Sequence, residues 1–384
     1  MLTARARRNL LTVEDMRRCA RGRVPRMFFG YVDSGSWTES TKARNKGDFD
    51  RILLRQRVAR DISGRSLASE MAGQAVSMPL AIAPTGMTGM LYPDGEIAAA
   101  RAAVAAGIPF TLSTMSISPL EAVAEAVQAP IWFQLYCMRD REFVRRLIAR
   151  ARAVECSALV VTLDLQIVGQ RHADIRNALS APPKPSLTAA AQVLSRPRWC
   201  WRMLRARHRS FGNIQGHIPD IDNLKNMAEW TAAQFDPHLD WDAIRELRDL
   251  WPGKLILKGV IDPEDAEIAA TTGADALIVS NHGGRQLDGA LSSIAALPDI
   301  AAAVGDRIEL HLDGGIRSGQ DILKALALGA RGVYIGRPFL YGLAVDGEAG
   351  VSRVLDILRN DLDLTMALCG ETDIRKVTPD LLIR

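Results

Sequence analysis

The chain has few cysteines, no long apolar run and little net charge, and each shortage excludes a class of protein. Its five cysteines are scattered through 384 residues without a CxxC pair, which argues against a disulfide framework or a zinc site and favours a reducing compartment. No uninterrupted apolar stretch reaches about 18 residues, so we expect no membrane-spanning helix. The formal charge of +4 is too small to indicate a nucleic-acid-binding protein.

What the chain does have, from residue 79 onward, is a regular alternation of strand and helix patterns. The strand patterns cover 80–83, 110–113, 131–135, 158–163, 255–258, 276–280, 308–312 and 332–335, and helical patterns between them cover 96–106, 119–127, 141–153, 263–272 and 319–328. Strands that alternate with helices of this length predict βαβ units and a parallel sheet. Eight such units predict an α/β fold, a closed (β/α)8 TIM barrel in a single domain that spans 1–384.

Two segments lie outside the predicted barrel, which occupies 79–164 and 241–384. Residues 1–78 form an N-terminal extension with a helical pattern at 13–21. Residues 165–240 form an insertion after the fourth strand, and a loop of that length in a compact domain is typically a lid or a binding segment. Its 196–209 stretch mixes tryptophans with arginines, which suits an anionic lipid surface; a solvated lid with buried tryptophans is the alternative.

Each predicted strand ends at a polar or conformationally special residue. Strand ends meet water and are often polar, but that does not account for Lys, His, Asp, Arg, Gln and Tyr together. In (β/α)8 barrels the C-terminal ends of the strands form the active site. The sequence therefore predicts an active site built from these ends, which in chain order are Pro84-Thr85, Ser113-Thr114, Gln134 with Tyr136, Thr162 with Asp164, Lys258, Ser280 with His282, Asp313, and Gly336-Arg337.

The sixth strand end carries the most specific chemistry. It continues as Ser280-Asn-His-Gly-Gly-Arg, with two glycines between His282 and Arg285. A histidine exchanges protons near neutral pH, and an arginine holds a carboxylate through two parallel hydrogen bonds. This spacing predicts a base beside an anchor for a small acid.

Glycine-rich runs after the seventh and eighth strands predict a phosphate site. They are 313–319, which contains Arg317, and 334–338, which contains Arg337. Barrels commonly bind phosphate at these two strand ends, where glycines let backbone N–H groups approach the oxygens. Neither a GxGxxG after an early strand nor a GxxxxGK[ST] occurs, so a dinucleotide fold or a P-loop is not predicted. A phosphorylated cofactor beside His282 would explain the arrangement.

Together these motifs resemble the FMN-dependent 2-hydroxy acid oxidase and dehydrogenase family, which includes glycolate oxidase, mandelate dehydrogenase and bacterial respiratory L-lactate dehydrogenase. The likeness runs from Tyr31 to the last helix. It includes Pro-Thr-Gly at 84–86, Gln-Leu-Tyr at 134–136, Leu-Ile-Leu-Lys-Gly at 255–259, Ser-Asn-His-Gly-Gly-Arg-Gln-Leu-Asp at 280–288 and Leu-Asp-Gly-Gly-Ile-Arg at 312–317.

The resemblance assigns roles to these residues. His282 would be the base near the substrate C2, Asp164 its partner, and Lys258 a positive charge at the edge of the flavin ring. For Lys258 a lysine at an ordinary strand end, and for Asp164 a turn-forming aspartate, are the alternatives. The substrate would be held by Tyr31, Tyr136, Arg171 and Arg285. The FMN would be held by Pro84, Thr85, Gly86, Ser113, Gln134, Thr162, Lys258, Ser280, Asp313, Gly314, Gly315, Arg317, Gly336 and Arg337. No metal ion is expected.

The activity implied is FMN-dependent oxidation of an L-2-hydroxy acid, with L-lactate the expected substrate and a quinone or another carrier the acceptor. The alternatives are mandelate or another 2-hydroxy acid, and an oxidase that releases peroxide. Gly86 stands where oxidases of the family usually carry alanine, which favours a dehydrogenase. Met115 and Val168 stand where glycolate oxidase places a pocket-lining Trp and Leu, which leaves the size of the acid open. The resemblance also implies a homotetramer, peripheral on the cytoplasmic side of the inner membrane or else cytoplasmic.

Two other classes remain as alternatives. A nucleotide-processing barrel of the IMP dehydrogenase type shares the late phosphate motif, but it needs a catalytic cysteine, and Cys137 is the candidate nearest a strand end. A barrel kept as a binding or scaffold protein would have lost the base or the carboxylate anchor, whereas both His282 and Arg285 are present.

Overall fold

Eight parallel strands form the centre of the molecule. The structure, a computed structural model, describes residues 9–177, 179, 186–216 and 233–383. The barrel strands are β1 (Leu80–Ile82), β2 (Thr111–Ser113), β3 (Trp132–Tyr136), β4 (Ala158–Thr162), β5 (Lys254–Val260), β6 (Ala276–Val279), β7 (Glu309–Asp313) and β8 (Gly332–Ile335). They pair in the order β1-β8-β7-β6-β5-β4-β3-β2, and a parallel bridge between Ile82 and Phe110 joins β1 to the start of β2. The predicted barrel is confirmed, with every strand within two residues of its expected bounds.

The barrel strands are short, and most of them are buried on both faces. β1, β2, β4, β6 and β8 have every residue buried, which is why their sequences are nearly continuous apolar runs rather than alternating ones. Side chains that point outward pack under the helices, and those that point inward, including Trp132, Ile256 and Tyr334, fill the barrel.

The N-terminal extension covers the barrel from outside and closes its lower end. Helices α1 (Val13–Arg21), α2 (Arg26–Asp33) and α3 (Ser40–Asp50) lead into a hairpin of Ser69–Met71 with Gln74–Val76. Met71 and Val76 are buried against the inward-facing side chains of the barrel. The hairpin therefore plugs the end of the barrel opposite the predicted site.

The remaining helices alternate with the strands, as the periodicity predicts. They are α4 (Gly95–Ala105), α5 (Leu120–Val127), α6 (Arg141–Ala153), α7 (His172–Arg176), α8 (Leu187–Leu194), α9 (Pro197–Met203), α10 (Trp241–Leu250), α11 (Pro263–Ala269), α12 (Ser293–Val304), α13 (Gly319–Ala327), α14 (Arg337–Asp346) and α15 (Glu348–Cys369). Within the described ranges, no helix has the length and apolar character needed to cross a membrane.

The insertion after β4 carries α7, α8 and α9 and is attached to the barrel by buried polar contacts. The Asn213 side chain is fully buried; its oxygen accepts from the Leu120 N–H at 2.9 Å and its nitrogen donates to the Ser116 hydroxyl at 2.9 Å. In the first turn of α9, the Trp199 indole donates to the Met90 carbonyl at 3.0 Å. Such contacts fix the insertion beside the C-terminal ends of the strands, since buried polar groups are costly to leave unpaired.

Candidate active site

A cavity of about 300 Å³ opens at the C-terminal ends of the strands. It is lined by residues from β1, β3, β5, β7 and β8, by the loop after β6 and by the insertion. The sequence-predicted residues among them are Tyr31, Pro84, Thr85, Gly86, Tyr136, Arg171, Lys258, His282, Arg285, Asp313, Gly314, Gly315, Arg317, Gly336 and Arg337. Positions that are hundreds of residues apart in the sequence thus meet in one cavity.

His282 and Asp164 form a hydrogen-bonded pair at the cavity wall. The His282 Nδ1 lies 2.9 Å from Asp164 Oδ1, so the other ring nitrogen is the one left for a substrate. Burial by itself would raise the pKa of the Asp164 carboxyl, but the adjacent imidazole and Lys258 hold it below its ordinary value. The carboxylate therefore stays ionised and orients the ring through this bond.

The Lys258 side chain is buried beneath the cavity, where its ammonium group has two polar partners. Its Nζ lies 2.9 Å from Asp313 Oδ2 and donates to the Ser280 hydroxyl at 2.8 Å. Burial opposes the charged form, but Asp313 and Asp164 outweigh it and raise the pKa of Lys258 above its ordinary value. A fixed positive charge thus lies at the floor of the site.

Two arginines and two tyrosines surround the space in front of His282. The Arg285 guanidinium lies 4.7 Å from the centre of the Tyr31 ring and that of Arg171 lies 5.6 Å from it. Burial and the neighbouring Arg171 charge lower the pKa of Arg285 to about 10, which still leaves it charged at neutral pH. Tyr136 is neutral because burial raises the pKa of its hydroxyl. Two guanidinium groups in one apolar-walled space form a site for an anion such as a carboxylate.

Four of the residues expected to line the cofactor lie behind the cavity instead. Gln134 bridges two hydroxyls: it accepts from Ser113 at 3.0 Å and donates to Thr162 at 3.0 Å. Ser280 accepts from the Lys258 ammonium and from the His282 N–H. All four are nearly inaccessible, at 3% exposure or less. In this structure they form a polar layer that supports the site from below.

The glycine runs after β7 and β8 form the other end of the cavity. Gly314 and Gly315 have φ angles of 91° and 95°, values that side-chain-bearing residues rarely adopt. At Gly336, a Cβ would meet nothing within 4 Å, and α14 begins at the next residue. Backbone N–H groups at the start of a helix bind phosphate oxygens, and Arg317 beside them adds charge.

Arg337, the second arginine expected at the phosphate, has its guanidinium engaged with the backbone. It donates to the carbonyl oxygens of Val32 at 3.1 Å, Gly283 at 2.9 Å and Ser34 at 2.8 Å. These bonds tie the loop after β6 to α2 and the residue that follows it. Three of its five N–H groups are used in this way, so its expected contact with the phosphate stays a prediction, beside that of the backbone at the start of α14.

The insertion supplies an apolar wall of the cavity that no sequence motif indicates. Phe211 and Phe235 line the cavity together with Leu165, and Phe235 lies edge-on to Tyr136 with ring centres 6.0 Å apart. No local pattern marks these residues as site-forming, because the insertion folds back over the mouth. Cys137, by contrast, is buried outside the lining, and burial raises the pKa of its thiol to about 12, which argues against a cysteine nucleophile.

The residues present fit a flavin mononucleotide. Asp313 Oδ1 is buried and lacks a hydrogen-bond partner among the described residues, and it faces a cavity where a polyol chain would supply hydroxyl donors. The cradle of Gly314 and Gly315 and the start of α14 suit a phosphate, and Lys258 supplies positive charge at the floor.

The model of the FMN-dependent dehydrogenase family matches residues 20–384. The chain belongs to this family. It is an oxidoreductase that uses FMN to oxidise a 2-hydroxy acid, as the sequence motifs predict.

Individual relatives agree with that class. The chain is 44% identical to the L-lactate dehydrogenase of Ectopseudomonas mendocina over 96% of its own length and 98% of the relative's, and 45% identical to that of Caulobacter sp. strain K31, covering 96% and 97%. Among solved structures, a monotopic membrane protein, (S)-mandelate dehydrogenase, superposes with a TM-score of 0.94 at 39% identity, covering 98% of this chain and 99% of that one.

Proposed function

We propose that the protein oxidises L-lactate to pyruvate. The observation that carries the proposal is one cavity with a carboxylate-backed imidazole, His282 with Asp164, facing two guanidinium groups, Arg285 and Arg171. That arrangement suits a small acid that must be gripped by its carboxylate and must lose a proton. Likeness to two curated L-lactate dehydrogenases supports the choice of acid.

Each residue has one task in this proposal. Arg285 and Arg171 bind the substrate carboxylate, helped by the hydroxyls of Tyr31 and Tyr136. His282 takes up a proton from the substrate at its free ring nitrogen, and the Asp164 carboxylate stabilises the resulting imidazolium. FMN, when bound, would supply the redox chemistry by accepting the two electrons and the second proton that the acid loses. Lys258 keeps positive charge at the floor of the site throughout.

The test is anaerobic reduction of the purified holoprotein. We expect the flavin absorption band to bleach on addition of L-lactate and to persist with D-lactate, because the anchor and the base fix which face of C2 is presented. The variant His282→Gln should retain FMN and lose the bleaching. Retained bleaching in that variant would place the base elsewhere, and a protein that takes up no FMN would end the proposal.

A larger acid such as mandelate is the second candidate. The observation in its favour is the apolar end of the cavity, where Met115, Val168, Phe211 and Phe235 provide no partner for a polar substituent. Comparison of kcat/KM for L-lactate and (S)-mandelate decides between them. A preference for mandelate above tenfold would replace lactate as the substrate.

We further propose a quinone or a similar carrier as the electron acceptor, rather than oxygen. Gly86 supports this choice within the family, and here a methyl group at position 86 would lie 2.9 Å from the Met115 Cβ, so the two positions constrain each other. Reoxidation of the lactate-reduced protein by a water-soluble quinone analogue should be much faster than by air. Rapid peroxide release in air would favour an oxidase instead.

The insertion 165–240 is proposed as a lid and as a peripheral membrane contact on the cytoplasmic side of the inner membrane. At the end of α9, Trp201 and Leu204 are 61% and 67% exposed, and the Arg205 guanidinium lies 5.2 Å from the Trp201 ring centre. Trp199, expected in the same contact, instead packs on Phe28 with ring centres 5.3 Å apart. Exposed aromatic and aliphatic groups beside arginine suit an anionic lipid surface.

Vesicle sedimentation tests this contact. The holoprotein should pellet with vesicles that contain an anionic phospholipid and less with zwitterionic ones, and Trp201→Ser with Leu204→Ser should abolish pelleting without loss of turnover. Equal partitioning of the wild type and the double variant would refute a membrane contact through these two side chains, and a wild type that does not pellet would favour a cytoplasmic protein. A homotetramer, the last expectation from the family likeness, predicts a mass by light scattering of about four times 41.9 kDa.

A further inference from the structure

We propose that Asn45, on α3 of the N-terminal extension, is a positioning residue that ties the His282 loop to the Gly314-Gly315 loop. The inference rests on the proposed role of His282 and extends it to a residue that does not line the cavity. In this role α3 holds the His282 loop and the Gly314-Gly315 loop in a fixed position relative to each other.

The loop that carries His282 needs such support because its backbone is strained. His282 has a φ of 57°, in the left-handed region that residues with a side chain rarely adopt, and Gly283 and Gly284 follow at 66° and 71°. A non-glycine residue in that region is strained and persists only where the surroundings enforce it. The imidazole can meet Asp164 only while this backbone is held.

A buried pair of amides does the holding. The Asn45 Nδ2 donates to the Asn281 Oδ1 at 2.7 Å, and the Asn281 Nδ2 donates back to the Asn45 Oδ1 at 2.8 Å. Both side chains are at most 5% exposed. The Asn281 Oδ1 also accepts from the Gly284 N–H at 3.0 Å, which closes the left-handed turn around His282.

Backbone groups fix which way each amide faces. Asn281 must present its oxygen to the Gly284 N–H and its nitrogen to the Leu291 carbonyl, 2.9 Å away. Asn45 must present its oxygen to the Ser293 N–H at 3.2 Å. A single orientation satisfies all of these groups, so an acceptor in place of the Asn45 nitrogen would face the Asn281 oxygen without a proton between them.

The same helix also contacts the loop proposed to carry the cofactor phosphate. A Cβ at Gly315 would overlap the Asn45 carbonyl oxygen, and one at Gly314 would lie 3.3 Å from the Asn45 Nδ2. Asn45 therefore contacts the His282 loop through its side chain, and the Gly314-Gly315 loop through its side chain and its backbone. Displacement of Asn45 should disturb His282 and the Gly314-Gly315 loop together.

The test uses Asn45→Ala and Asn45→Asp in the holoprotein, with Ser292→Ala as the matched control. Ser292 is equally buried and also joins α3 to α12, through a 2.6 Å bond to Asp48, but its side chain is not among the hydrogen-bond partners of Asn281. We expect each Asn45 variant to lower kcat on the order of 10²-fold, as a misplacement of about 1 Å does, and to weaken FMN binding. We expect the control to keep kcat within about twofold of wild type.

Hydrogen exchange gives a readout that does not depend on which acid is the substrate. Backbone amides of 281–293 and of 312–318 should exchange faster in both Asn45 variants and stay protected in the control. The proposal is overturned if the Asn45 variants show the same exchange and kcat as wild type, because Asn45 then positions neither loop. It is also overturned if the control loses the same protection and kcat, because the effect is then not specific to Asn45. Failure of wild type to oxidise L-lactate would instead refute the proposed substrate and leave the exchange result standing.

Discussion

The variant Asp164→Asn isolates the charge behind the proposed base. Asparagine has nearly the same shape, and its oxygen can still accept from the His282 Nδ1 over the 2.9 Å that separates the two groups now. The Gln286 side chain, which donates to the Asp164 backbone carbonyl, would hold the residue in place. The substitution thus removes the negative charge and leaves the contact.

The size of the effect follows from that geometry. Two unit charges about 4 Å apart interact by about 4 kcal/mol at the effective dielectric constant of a partly exposed protein site. This term counts when His282 holds the extra proton, so its loss raises the barrier of the proton-transfer step. Because about 1.4 kcal/mol corresponds to a factor of ten, kcat should fall on the order of 10²–10³-fold.

Stopped-flow bleaching of the flavin band under anaerobic conditions measures this step directly. The matched control is Asp94→Asn, because Asp94 pairs with His208 Nδ1 at 3.1 Å outside the cavity and should affect stability alone. A bleaching rate in Asp164→Asn within threefold of wild type, at full FMN occupancy, would refute the role given to the carboxylate.

Three further outcomes follow from the described contacts. Arg285→Lys should raise KM for the acid about 10–100-fold, because one charged hydrogen bond of about 1.5–3 kcal/mol is lost; an unchanged KM would move the anchor elsewhere. The hydrogen bond from Arg17 lowers the pKa of the Asp33 carboxyl to about 2, so Asp33 stabilises the fold above pH 4 and loses that contribution as the pH falls towards 2. Urea titrations should therefore show Asp33→Asn about 2 kcal/mol less stable than wild type at pH 7, with the two stabilities converging in acid. Gly315→Ala should release FMN and destabilise the protein by more than 1 kcal/mol, whereas Gly64→Ala, which also has a positive φ (66° against 95°) but lies in open space, should cost less and retain FMN; equal costs would show that backbone strain alone matters.

The barrel could be predicted from the sequence because its strands are buried on both faces. Runs such as 158–163 and 276–280 have few polar residues and end at turn-forming ones, so each strand is marked locally. The hairpin of Ser69–Met71 with Gln74–Val76 was not predicted. Its strands have three residues each, and they owe their place to contacts with the barrel interior rather than to a pattern of their own.

The site could be predicted where its residues stand at strand ends, as His282 and Lys258 do. Contacts that depend on the return of a distant segment could not. Asn45 meets Asn281 across a separation of 236 residues, and the bonds from the Arg337 guanidinium to the carbonyl groups of Val32, Gly283 and Ser34 likewise join distant segments. A motif identifies which residues gather, but the direction of each side chain depends on the packing around it.

The plugged lower end of the barrel has a kinetic consequence. Met71 and Val76 seal that end, so the hydroxy acid, the keto acid and the electron acceptor must share the opening on the side of the insertion. The acid and the acceptor should therefore take turns: initial-rate plots at several fixed acceptor concentrations should be parallel, and each reactant at high concentration should inhibit by occupying the cavity meant for the other.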